Sequence, residues 1–257
     1  MSLAYDAGAS NQDLFALGRR AAEARDAAFG RRATFVRSRQ LLPVATLEGS
    51  PHHPATDSAG QSPAPSTRLA TGAWRGPRDA AESYVEDADL SAVGGWAAAR
   101  EAGVTLLVRR AVIPHDCAGA RALVRVAFRL DESDAERERR VRDLVRDATV
   151  WGLLPTPDGE PYGLDTVRFV ALCRLVVPAS IHVVADVTAL GPRLAQMCLQ
   201  FGADELFAPI VAERALRLGA NANNPALTRK EAVTLIRGAG LTAAERLAGD
   251  VVEEVAT

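Results

Sequence analysis

Stretches of helical apolar periodicity keep giving way to short runs of apolar, β-branched residues, and this alternation restricts the chain to folds in which strands lie side by side under helices. A helix at 90–102 leads into Val104-Thr105-Leu106-Leu107-Val108. The run ALVRVAFRL at 122–130 puts Val124, Val126 and Phe128 on one side, and Ser133 to Glu136 then has the form of a capping box that starts a charged helix near Asp134. The helix LDTVRFVALCRLV at 164–176 precedes the strand Ile181-His182-Val183-Val184-Ala185-Asp186-Val187. Strands apolar along most of their length are covered on both faces, so the sheet is mainly parallel, in a (β/α) barrel or a doubly wound arrangement. Periodicity does not separate the two.

The remaining elements follow from local signals. Residues 11–29 read as a helix closed by Gly30, and Ala33 to Arg37 as a short strand. Residues 48–78 are dominated by Pro, Ser, Thr, Gly and Ala, too poor in large apolar side chains to offset their own ordering entropy, and read as a disordered insert. Gly191-Pro192 opens a helix with Leu194, Met197, Cys198 and Phe201 on one face. Glu205 to Phe207 is a short strand, and Pro209 starts a helix through Leu218. Capping boxes at Thr228–Glu231 and Thr242–Glu245 place closing helices at 229–238 and 243–255. The division expected is 1–47, the first helix and strand of the barrel domain; 48–78, the insert; and 79–257, a barrel-like domain with C-terminal helices. Setting the insert and closing helices aside leaves room for about five or six β/α units at roughly 25 to 35 residues each, a partial or shortened (β/α) TIM-type barrel.

Charge and hydropathy exclude several functions. Lys and Arg total 30 against 32 Asp and Glu, so the chain lacks the positive surplus on which nucleic-acid binding depends. No apolar run approaches the roughly 18 residues of a membrane span, and the first residues have neither a basic region nor an apolar core of a secretory signal. The expectation is a cytoplasmic protein with no membrane and no nucleic-acid partner.

The chemistry-bearing side chains are scattered. Cys117, Cys173 and Cys198 form no closely spaced pair for zinc, redox or cluster ligation, and read as small hydrophobes. His182 and Asp186 share one face of a strand, with Asp186 nearer the C-terminal end, where barrels place their pockets. Asp204 and Glu205 are substrate-hydroxyl ligands at a strand end or caps of the helix after Pro209. His182, Asp186, Asp204 and Glu205 are the candidate substrate-binding residues; no catalytic residue and no metal ligand stands out. His52-His53 lies in the insert, and His115-Asp116-Cys117 has no identifiable partner and reads as a loop.

Several phrases between 164 and 246 occur in the order found in one enzyme group: TVRFVALCRLVVP, SIHVVADVTALGPRLAQ, LQFGADEL, Glu213, and LTRKEAVTLIRGAGLTAAER. This segment resembles the C-terminal third of the menaquinone-pathway radical SAM enzymes, the aminofutalosine synthase and cyclic dehypoxanthinyl futalosine synthase group, and GRRATFVRSRQ resembles that group's lead-in strand. The resemblance implies a barrel, a [4Fe-4S] cluster and S-adenosylmethionine. The three cysteines of the family's C-x-x-x-C-x-x-C loop are absent, however: Leu41-Leu42-Pro43 stands where the loop should begin, and no cysteine precedes Cys117. The reading is a degenerate radical-SAM-like protein with no cofactor of its own, acting as a non-catalytic partner subunit or a nucleoside-binding protein. A homodimer, or a heteromer with an intact radical SAM paralogue, would cover the strand edges near 37–42 and 104–113. The alternative is an enzyme that acts on a nucleoside-like substrate by acid/base chemistry without a cluster.

Overall fold

The computed structural model describes residues 11–36, 39–41, 82–86, 90–91, 94–101, 103–109, 117, 120–159, 163–211, 226–247 and 252–255. The sequence readings for 48–78, His52, His53, His115, Asp116 and Glu213 fall outside them. Helices are α1 (Asn11–Phe29), α2 (Gly95–Glu101), α3 (Asp134–Leu144), α4 (Gly163–Val176), α5 (Val187–Gln200) and α6 (Arg229–Gly238). Strands are β1 (Arg32–Phe35), β2 (Arg39–Leu41), β3 (Glu82–Glu86), β4 (Leu106–Arg109), β5 (Ala122–Phe128), β6 (Val150–Pro157), β7 (His182–Asp186), β8 (Glu205–Phe207), β9 (Ile210–Val211), β10 (Leu227–Thr228), β11 (Thr242–Arg246) and β12 (Val252–Glu254).

Ten strands form one sheet in the order β12-β11-β1-β8-β7-β6-β5-β4-β3-β2, and β9 pairs separately with β10. Every pairing in the large sheet is parallel except that of β12 on β11. The sheet is strongly curled. The rings of Tyr84 on β3 and Phe207 on β8 are 5.7 Å apart, whereas a flat sheet would hold those strands about 24 Å apart at ~4.8 Å per step. Chain connectivity requires the same curl: β1 and β2 are separated in the sheet by β8 through β3, yet residues 36–38 can bridge at most about 14 Å. The architecture is a partial TIM-type (β/α) barrel.

Alternation along the strands builds two layers of core. Val124, Val126 and Phe128 of β5 join Val183 and Ala185 of β7 and the buried faces of α4 and α5 in the layer between sheet and helices. Phe128 and Phe169 meet there with centroids 4.8 Å apart. The intervening positions face inward, so Leu106, Leu123, Leu154, Val184 and Phe207 pack together within the barrel. A satellite cluster of Val85, Trp96, Leu107 and Cys117 lies beneath α2.

Several sequence readings need correction. The Ser133 and Thr228 capping boxes both form, and α3 and α6 follow them. The Thr242 box does not start a helix: residues 242–246 are β11, and β12 follows, so a single closing helix precedes two strands. Thr228 is followed by a stripe of buried Ala232, Val233 and Ile236 on one helical face, whereas Thr242 precedes Ala243 and Ala244, both buried and in parallel register with Ala33 and Thr34. Pairing with β1 satisfies that strand's exposed edge, which outweighs the weak helical propensity of a short Ala-containing segment. Nor does a helix start at Pro209, since Ile210 and Val211 pair with Leu227 and Thr228; residues 212–218 are outside the described residues. The helix expected from Gly191-Pro192 starts one turn earlier, at Val187 with Asp186 as its N-cap, and is broken at Gly191, whose φ of 75° and ψ of 159° are not helical. The alternation pattern does not mark β3 or β6: β6, VWGLLPTP, contains a glycine and two prolines that break it.

Candidate functional site

Two groups of polar side chains are placed by the strands, one at each end of the barrel. At the C-terminal ends, Glu86 closes β3, Asp186 closes β7 and Phe207 closes β8, while Arg125 reaches out from β5. Arg125 donates to Asp186 Oδ2 at 2.8 Å and to Glu86 Oε1 at 3.3 Å. Burial alone would lower the pKa of this guanidinium, but the two adjacent carboxylates outweigh burial and hold it above its ordinary value. Asp186 has a second role: its Oδ1 accepts from the Thr188 and Ala189 backbone N–H groups at 2.9 and 3.3 Å and from the Thr188 hydroxyl, capping α5. The β7–α5 junction and the ion pair therefore share one carboxylate. Tyr84 meets the Phe207 ring edge-on, and the Arg125 guanidinium lies 5.9 Å from the Phe207 centroid. The mouth thus combines the half-buried Tyr84 ring, seated on the buried Phe207, with a cation between two anions, and Glu86, with its side chain 31% exposed, is the most open of the three charged groups.

The second group lies at the opposite end, where Arg32, Trp151 and His182 stand at or next to the first residues of β1, β6 and β7 and Asp204 immediately precedes β8. His182 stacks between Phe29 at 4.6 Å and Trp151 at 4.5 Å. Arg174 lies over Phe29 at 5.1 Å, and Arg121 and Arg246 lie over Trp151 at 4.1 and 4.7 Å, so the ladder of rings has guanidinium groups at each end. Asp204 accepts from Arg174, pairs with His182 Nδ1 and takes the Val183 backbone N–H at 2.8 Å. Burial lowers the Arg174 pKa from its ordinary value, which the Asp204 charge only partly offsets. Glu205, fully buried, receives Arg246 at 2.9 Å on each oxygen and the Thr34 hydroxyl at 2.9 Å. A cavity of about 150 Å³ opens among Phe29, Arg32, Trp151, His182, Asp204 and Arg246, with Thr34 and Val252 completing its wall.

Three of the four residues singled out in the sequence, His182, Asp204 and Glu205, are therefore brought together at the N-terminal end, and Asp186 stands apart at the C-terminal mouth. Asp204 and Glu205 do not cap a helix after Pro209; their partners are Arg174, His182, Arg246 and Thr34. The sequence reading missed every arginine in these clusters and the Trp151 ring. The partners are remote in sequence, Arg125 lying 61 positions from Asp186 and Arg246 41 from Glu205, so only the fold joins them. The LQFGADEL phrase gave a partial signal, because Gly202 has φ 105° and its carbonyl accepts from Arg174 Nε at 3.0 Å.

An iron–sulfur cluster requires thiolates, and the thiols here do not supply them. Cys173 and Cys198 lie on α4 and α5 in the layer between helices and sheet, where burial pushes both thiols up to about 12. Cys117 is buried in the separate cluster beneath α2. In the sequence no cysteine precedes Cys117, so the segment that follows β2 supplies no thiolate. A [4Fe-4S] cluster does not fit these residues.

No protein-family model matches the sequence. No curated protein matches it either. The structure is similar to the crystal structure of methylornithine synthase (PylB), with a TM-score of 0.55 over 90% of this chain and 89% of that one, at 11% sequence identity. At that identity the likeness is one of fold: the chain has a partial (β/α) barrel like that of the matched structure.

Proposed function

We propose that this chain is a nucleoside-binding protein built on a radical-SAM-type barrel and working without radical chemistry. The observation that carries the reading is the C-terminal mouth, where Arg125 lies between Glu86 and Asp186 beside the Tyr84 and Phe207 rings. A nucleoside matches both halves of that surface. Its flat base would lie against the half-buried Tyr84 ring, and its ribose hydroxyls would donate to Glu86 and accept from Arg125. The resemblance of 164–246 to futalosine-pathway enzymes supports the same ligand class. Asp186, already accepting the α5 cap and Arg125, orients the guanidinium rather than moving a proton.

Calorimetric titration of the full chain with adenosine, and separately with adenine and ribose, tests this. The expectation is saturable binding of adenosine that is weaker for either half alone. Arg125→Gln should weaken adenosine binding about tenfold or more, as removal of a charge-assisted hydrogen bond does. Absence of adenosine binding, or binding indifferent to Arg125→Gln in a folded variant, would overturn the proposal.

A further inference from the structure

The cavity at the N-terminal end of the barrel has a charge imbalance that the ion pairs around it do not cancel. Its two acidic neighbours are already engaged: Asp204 by Arg174, His182 Nδ1 and the Val183 N–H, and Glu205 by Arg246 and Thr34. Arg32 also lines the cavity, and among the described residues its guanidinium has neither ion-pair nor hydrogen-bond partner. The positive charge left over is therefore that of Arg32.

The aromatic walls add to the preference. Phe29 has two ring neighbours, Arg174 and His182, His182 has two, Phe29 and Trp151, and Trp151 has three, His182, Arg121 and Arg246. With ring faces used in that way, a guest meets chiefly ring edges, the positive part of the aromatic quadrupole. A cavity of about 150 Å³ has room for several waters, and so for a phosphate group or a small ring carboxylate.

We propose that this basal cavity is a second binding site, separate from the mouth, for a small oxyanion held by the Arg32 guanidinium. The fork geometry of arginine suits two oxygens of a phosphate or a carboxylate equally, so the shared chemistry is that of the oxyanion.

The test is calorimetry of the full chain in a chloride buffer of fixed ionic strength, titrated with inorganic phosphate and, in a second series, with benzoate. At least one should bind saturably at one site per chain, and the stronger of the two identifies the source. Arg32→Gln should weaken that binding about tenfold or more, Arg32→Lys should weaken it less, and Arg125→Gln at the mouth should leave it unchanged. Circular dichroism confirms that each variant is folded. No saturable binding of either anion, or binding lost in Arg125→Gln and kept in Arg32→Gln, would overturn the site. Because adenosine reads the mouth and the anions read the base, failure of one proposal leaves the other measurable.

Discussion

Glu205 and Arg246 show how much one buried contact can matter. The carboxylate is fully buried and both of its oxygens receive the same guanidinium, so removing the charge on one side strands the other away from water. Glu205→Gln is expected to lower unfolding stability by about 3 to 5 kcal/mol in urea denaturation, the range for breaking a buried pair. The double replacement Glu205→Leu with Arg246→Met should recover a large part of that loss, because no charge is then left unpaired. The cysteines give a second expectation. Burial raises Cys173 and Cys198 to about 12 from an ordinary value near 9, so both favour folding while protonated. That contribution is complete below about pH 9, where the unfolded thiols are also neutral, and is lost as pH rises toward 12. All three thiols are buried and should resist a disulfide reagent at pH 8 in the native protein and react in guanidinium.

Among the elements, the turn from α5 into β8 is tightly specified. Gly202 has φ 105°, and a Cβ there would stand 3.0 Å from the Cβ atoms of Ala21 on α1 and Arg174 on α4. Gly202→Ala therefore combines backbone strain with a clash against two helices, and should cost roughly 3 kcal/mol in thermal or urea unfolding. Gly159→Ala is the comparison: φ is 101° but nothing lies within 4 Å, so only the backbone strain of about 1 to 2 kcal/mol remains. Equal losses for the two would show that the packing at Gly202 is looser than described. The elements also differ in how much the sequence discloses. α3 and α6 combine a capping box with an apolar stripe, and α4 and β7 carry long apolar runs, so local signals suffice. β11 is settled by a neighbour more than two hundred positions earlier, β1, and its local pattern imitates a helix start. The site divides in the same way: Asp186, Asp204, Glu205 and His182 can be noticed in sequence, whereas Arg125, Arg174 and Arg246 become their partners only after the sheet has curled.

At the scale of the whole molecule, the barrel separates its chemistry by end. The C-terminal mouth holds a partly exposed carboxylate and a guanidinium beside the Tyr84 ring, and the N-terminal end holds engaged carboxylates around a cavity lined by Arg32, which has no partner among the described residues. Barrels of this kind place ligand chemistry at the C-terminal face and stability at the other, and the saturated ion pairs of Asp204 and Glu205 follow that division. Among the described residues no helix is long and apolar enough to cross a membrane. The thiols lie apart from one another: two are on the outer helices and one is in the cluster beneath α2.

Iron content after anaerobic reconstitution with ferrous iron and sulfide tests most directly the proposal that this barrel binds no iron–sulfur cluster. The expected result is background iron per chain after desalting, no broad absorbance near about 400 nm, and no change when Cys117, Cys173 and Cys198 are replaced together in a folded variant. About four irons and four sulfides per chain, lost in that triple variant, would contradict it.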